Sequence, residues 1–498
     1  MMIPKKYYYL GLLLVSITLI SSCENDDNDI IIVDDIPVSA GSADFSNFVS
    51  VGNSLTAGFT DGALFIIGQE NSFPNLLSQK FGLAGGGVFS QLLMNDNIGG
   101  ALLGGIQILN PRLFFDGAGP ALLPEMPTTE ISNIRPGPYN NMGVPGAKSF
   151  HLLANGYGNI AGVPGGLANP YYVRMASNPN ASILEDVLAQ DPTFFTLWIG
   201  NNDVLSYATS GGLGIDQTGN PDPTTYGSND ITDPTVFAGI YATINNALTA
   251  NGSKGVIINI PYVTSIPYFT TISYNPVPLD AATAAAVNQG YVPYNDGLLG
   301  LEAAGIITTE ERILRTITFM EGQNAVVFED EYLTDLSGFG LPSIRQSTEE
   351  DLIVLIAASF IGTLVNNDPT LVNGVSVPLT DQWVLSSNEI AEVITATDSY
   401  NISIEQLANQ KGLAFLNANE LMQEIAAIGI LFDDFIMESS LVFGGTFSLD
   451  GVHPTQRGYA LVANEVLKAI DAKYGSNFSD AGVLFKAADF TTLYPMSL

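Results

Sequence analysis

Apolar residues in this chain gather into short runs that end in loop residues: Phe48 to Val51, Phe194 to Ile199, Val256 to Ile260 and Leu413 to Leu416. Runs of this length, with helical segments between them, predict buried strands of a parallel sheet covered on both faces, an α/β fold. A weaker strand is expected near Tyr139 to Met142. No proline-rich linker, charge block or fixed-period repeat divides the chain between these runs. The expectation is one domain over residues 44–475, with residues 476–498 as a tail without clear pattern.

The texture between the strands varies. Residues 82–120 are glycine-rich and apolar, with Gly85-Gly86-Gly87 and Gly99-Gly100 breaking any long helix. Residues 204–236 are polar and read as a long surface loop, and residues 263–412 as a large, mostly helical insertion. Three helix starts carry the capping-box pattern: Thr308 with Glu311, Ser347 with Glu350, and Ser386 with Glu389. After Ser347 the stretch Leu352 to Ala358 is apolar on every face as a helix, so it is expected in the core or along an apolar cleft. A last helix is predicted after Pro454-Thr455, through Tyr459, Leu461, Val462, Val466 and Ile470.

Charge removes one class of function. Among 498 residues there are 16 Lys plus Arg against 50 Asp plus Glu, a formal charge of -34. Such a chain repels phosphate backbones, and no basic patch offsets this, so no nucleic-acid partner is expected. The N-terminus adds an address. Lys5 and Lys6 precede an apolar stretch, Tyr7 to Ile20, in the manner of a secretion signal over residues 1–22. Ile20-Ser21-Ser22-Cys23 resembles a bacterial lipobox, and Cys23 is the only cysteine, which leaves no intrachain disulfide and no thiolate metal site. Residues 23–43 then read as an acidic tether after a lipidated Cys23, anchoring the protein in the cell envelope. The acidic run also resembles an export tag of Bacteroidetes-type lipoproteins, which implies the outer membrane and surface display.

Chemistry concentrates in four short stretches. Ser54, in Gly52-Asn53-Ser54-Leu55, follows the first strand, where open sheets bind ligands; it is either a nucleophile or the cap of the next helix. His453 follows Asp450 by three residues in Asp450-Gly451-Val452-His453, so the carboxylate can fix the imidazole tautomer and leave the other nitrogen as a base. Asn202, in Gly200-Asn201-Asn202-Asp203, can aim an amide at a developing oxyanion. Gly146, in Asn141 to Ala147, allows a backbone N–H to approach substrate. His151, the only other histidine, has no nearby carboxylate and is expected to be structural or at a pocket rim. Two histidines and one cysteine leave little for a metal site, and no Gly-x-Ser-x-Gly elbow is present.

In chain order, Ser54, Gly146, Asn202 and Asp450 with His453, the four stretches resemble the blocks of the SGNH (GDSL-type) hydrolase superfamily, with asparagine at position 53 where the family has aspartate. The resemblance implies a three-layer α/β/α sandwich and a serine ester hydrolase working through an acyl-serine intermediate. Ser54, His453 and Asp450 would be catalytic, and the N–H groups of Ser54 and Gly146 with the Asn202 amide would form the oxyanion hole. No cofactor is required. Acyl lipids and acetylated glycans both remain open as substrates, and the alternative is a catalytically inactive lipoprotein of the same fold that binds glycan or lipid.

Overall fold

The predicted runs, the weaker one included, become strands of one parallel five-stranded sheet in the computed structural model of the protein, which describes residues 36–498. Strands β1 (Phe48–Gly52), β2 (Asn141–Gly143), β3 (Phe194–Trp198), β4 (Lys254–Ile258) and β5 (Ala414–Leu416) lie in the order β5-β4-β3-β1-β2. Every residue of β1 and β3 is buried, which is why these runs are apolar rather than alternating. The one polar pair inside, Ser50 and Thr196, occupies matching register positions, and its hydroxyls bond each other at 2.5 Å. Neither oxygen is left unpaired in the core.

The helices that matter for the site are α1 (Ser54–Ala57), α2 (Phe73–Leu83), α3 (Asn202–Thr209), α4 (Pro234–Leu248), α5 (Ala281–Ala303), α6 (Thr309–Arg315), α7 (Ser387–Lys411), α8 (Ala418–Ala427) and α9 (Gln456–Tyr474). Helices α2 and α9 pack together, and Phe73 and Phe81 of α2 meet Trp198 and Phe194 of β3 edge-on, with ring centroids 5.6 Å apart in both pairs. A second group forms where α4 meets α7 through the stacked rings of Phe237 and Tyr400, 4.1 Å apart. The fold is thus mixed α/β around a parallel sheet. After β1 the chain runs to the outer strand β2 and then returns past β1 to β3. Strand order reverses between β1 and β3, and a crevice opens at their carboxyl ends, where such sheets bind ligands.

The insertion differs from its expected form. Helices α5, α6 and α7 are present, but residues 316–386 hold only short two-stranded ladders, 3₁₀ turns and loops. The capping signals at Thr308 and Ser386 start α6 and α7, the latter with the full reciprocal box. The signal at Ser347 starts nothing. Arg345 forks onto Asp351 at 2.6 and 2.7 Å and reaches Asp330 at 2.5 Å, Asp351 accepts the Thr348 N–H, and the Ser347 hydroxyl donates to the Tyr274 carbonyl. With Asp351 pinned in this way, Leu352–Ile353 pairs as a strand with Val384–Leu385, and only a 3₁₀ turn follows at Leu355–Ser359. Ile356, expected in a buried helix, is exposed.

Three other boundaries shift. Residues 204–236 begin inside α3, bury Ile231 and Thr232 fully and end inside α4, so only the middle of that stretch is a surface loop. Residues 38–43, expected to end the tether, are bonded to the body: Ser39 N–H donates to Asn477 and Ser42 N–H to the Tyr474 carbonyl. Tail residues Phe478 and Ala487 are fully buried, and Arg112 holds the Pro495 and Met496 carbonyls. Residues 38–498 therefore make one compact body. The signal, Cys23 and most of the tether lie outside the described residues. Among the described residues no helix is long and apolar enough to cross a membrane.

Candidate active site

The nucleophile candidate owes its position to two neighbours. Gly52 ends β1 where a Cβ would stand 2.3 Å from the Trp198 carbonyl and 2.2 Å from Thr56 Oγ1, so only glycine lets the chain turn so close to β3. Asn53 then caps α1 by accepting the Leu55 N–H at 3.1 Å, and its amide nitrogen donates to Asn201 Oδ1 at 3.2 Å. Capping belongs to Asn53, not to Ser54. Ser54 becomes the first residue of the turn, its hydroxyl free to meet His453.

That meeting is direct. His453 Nε2 lies 2.9 Å from Ser54 Oγ, and His453 Nδ1 lies 2.8 Å from Asp450 Oδ2. The loop before α9 makes this geometry because Asp450 Oδ1 also accepts the N–H groups of Val452 and His453, both at 2.8 Å. One carboxylate thus shapes the loop and orients the ring. Burial raises the Asp450 pKa, but the His453 charge and these hydrogen bonds outweigh it and hold the carboxyl at about 2. Asp450 is ionised at any working pH and can stabilise an imidazolium.

The stretch just after Ser54 holds the Asp450–His453 loop from the other side, and sequence reasoning missed it. Four successive residues take part. The Phe59 ring packs against His453 with centroids 4.6 Å apart. Thr60 donates to the Pro454 carbonyl at 2.9 Å, and Gly62 N–H to Asp450 Oδ2 at 2.8 Å. Asp61 receives the Leu449 N–H at 2.9 Å and gives its own N–H to Ser448 Oγ at 2.9 Å. Ser448 in turn donates to Asp450 Oδ1 at 3.2 Å. Asp61 Oδ2 is buried without a hydrogen-bond partner. Burial pushes the Asp61 carboxyl up to about 7, with the Leu449 N–H opposing, the Asp450 charge adding and Arg112 opposing. The signal available in the sequence was the tetrad Phe59-Thr60-Asp61-Gly62, a turn with a carboxylate close behind a candidate nucleophile.

The oxyanion candidates are only partly assembled. Asn202 opens α3 at the end of β3, lines the same cavity as Ser54, and donates one amide hydrogen to the Ala147 carbonyl at 2.9 Å. One hydrogen of that amide remains. The N–H groups of Ser54 and Gly146 make no hydrogen bond to the described residues. Gly146 has φ +81°, which favours glycine, but it is exposed and does not line the cavity. What ties its loop to the site is Asp203, fully buried, which accepts both the N–H and the hydroxyl of Ser149 at 2.8 and 2.6 Å. Burial raises the Asp203 pKa against these bonds and the nearby Lys148 charge.

His151 lies elsewhere. Its Nδ1 accepts the Lys148 N–H at 3.0 Å, and its ring stacks on Tyr157 at 4.4 Å and 9°. Burial, reinforced by the Lys148 charge, lowers its pKa to about 4. The ring is neutral, structural, and outside the cavity lining.

The cavity beside Ser54 extends between α8, α9 and the turn at Val263–Ser265. Only the first residues of the 263–412 insertion reach it, through Val263 and Ile266; Tyr268 N–H donates to the Gly451 carbonyl at 2.9 Å and so braces the Asp450–His453 loop. The stretch Leu352 to Ala358 does not line it. Among the described residues, no three His, Cys, Asp or Glu side chains converge as a metal site. No family model, no curated protein and no solved structure matches this chain.

Proposed function

We propose that this chain is a serine hydrolase of carboxylic esters, of the SGNH type, with a three-layer α/β/α domain. The observation that carries the reading is the continuous Ser54–His453–Asp450 relay, 2.9 and 2.8 Å, at the carboxyl end of β1. Ser54 Oγ attacks the ester carbonyl as His453 Nε2 takes its proton, and ionised Asp450 stabilises the imidazolium. The tetrahedral oxyanion is met by the Ser54 and Gly146 N–H groups and the free hydrogen of the Asn202 amide. The intermediate collapses, the carbonyl–alkoxide bond breaks, and His453 gives its proton to the leaving alcohol. Water then attacks the acyl-serine with His453 again as base, releasing the acid and restoring Ser54. No cofactor takes part. On the same reading the protein is a lipoprotein, anchored through Cys23 in the cell envelope at the outer membrane, with the catalytic body exposed and no nucleic-acid partner.

The test is covalent labelling. A small fluorophosphonate should modify Ser54 in wild type, and Ser54→Ala should abolish both labelling and ester turnover while the fold persists by circular dichroism. A wild-type protein that neither labels nor hydrolyses any ester sinks the enzyme reading and leaves a binding lipoprotein.

A further inference from the structure

The cavity has walls of one chemical kind. On α8, Ala418, Leu421, Met422 and Ile425 recur at the spacing of a single helix face, and on α9 Gly458, Leu461 and Val462 do the same. Val263 and Ile266 close a third side. Met422 and Ile425 are buried in the apolar core and also face the cavity. No Asp, Glu, Lys or Arg lines the cavity, and its polar side chains are Ser54, His453, Thr446 and the asparagines at 53, 201 and 202. A sugar ring placed there would lose its water with few partners in return.

Size narrows the occupant. The cavity has a volume of about 90 Å³, below the ~150 Å³ of an apolar cavity that holds benzene, so it encloses a short aliphatic chain. An acetyl group would leave most of that space empty and forfeit its contacts. A half-enclosed pocket also suits the acyl part, which stays attached through both half-reactions, rather than the alcohol, which must depart before water enters.

We infer that the site takes esters of unbranched aliphatic acids of about four to six carbons, with the acyl chain housed between α8 and α9. This rests on the serine-hydrolase reading above. The test is an acyl series of p-nitrophenyl esters from acetate to palmitate, held below their aggregation limits, on the wild-type protein. Rates as kcat/KM should climb by about fourfold per methylene from acetate to a maximum between butyrate and hexanoate, then fall. Ile425→Trp or Met422→Trp, each filling the cavity, should move that maximum toward shorter chains. A maximum at acetate, a flat series, higher rates on an acetylated sugar, or rates that follow alcohol length at fixed acyl group would each overturn the inference. Small-fluorophosphonate labelling of Ser54 separates the failures: labelling with a flat series rejects only the acyl assignment, whereas no labelling and no turnover reject the enzyme reading with it.

Discussion

The two histidines sit in two loops that treat the same side chain in opposite ways. His453 has a carboxylate on one nitrogen and a hydroxyl on the other; His151 has a backbone N–H on one nitrogen and a lysine charge nearby. A carboxylate on one ring nitrogen fixes the tautomer and leaves the other to face the serine, while burial beside a cation disfavours protonation of the ring. Reactivity here is a property of the loop, and composition alone assigns it to neither residue.

The sharpest way to break this contrast is to remove each ring in turn. His453→Ala should lower ester turnover by roughly 10⁴- to 10⁶-fold, since triad members act as a unit. His151→Ala should leave turnover within about threefold, because the ring touches no reacting group. Equal losses in the two variants would erase the distinction. Next in size is Asn202→Ala, expected to lower kcat by roughly 100- to 1,000-fold, the usual effect of losing one oxyanion donor. An unchanged kcat would remove Asn202 from the site.

Two smaller effects concern stability and run in opposite directions over one pH range. Asp61 titrates at about 7 in the folded chain and near ~3.9 when unfolded, so the folded state binds more protons between these values and stability falls as pH rises through them. Asp61→Asn should remove that slope and raise the melting temperature at pH 8 by a few degrees. Turnover should change by less than about fivefold, because the amide oxygen still accepts the Leu449 N–H. A variant that melts lower at pH 8 would show that the carboxylate is stabilising after all. His151 titrates at about 4 folded and near ~6.5 unfolded, so the unfolded state binds more protons there and stability falls as pH drops toward 4. His151→Phe keeps a ring on Tyr157 and should flatten the acid limb of a melting-temperature profile. An unaltered limb would mean that other groups set it.

What could be read from the chain beforehand follows a physical line. The strands were legible because burial on both faces forces a continuous apolar run, and the Asp450–His453 pair because a tight loop brings residues three apart together whatever surrounds them. The Ser347 signal misled because it has the same local chemistry as Ser386, and what differs is Arg345, which takes Asp351 out of any helix. Asn53 shows a subtler limit. Its amide accepts from Leu55 and donates to Asn201, a pair of roles that a carboxylate cannot fill unless the Asn201 amide turns over. The Phe59–Gly62 turn shows its carboxylate in the sequence but not the Asp450 loop it grips, and the hold of Asp203 on Ser149 has no local pattern, since each is completed by residues distant in the chain.

The distance between Ser54 and His453, 399 residues along the chain, has a consequence for the order in which the protein is made. The sheet's first strand and the serine leave the ribosome early, but the base and its carboxylate arrive only with the loop before α9. Until that loop docks on Phe59 to Gly62, Ser54 has no partner to activate it. On the proposed reading, a chain halted before Asp450 would carry an intact Ser54 motif and no ester hydrolysis, so that turnover would mark a molecule whose synthesis and long-range assembly have gone past residue 453.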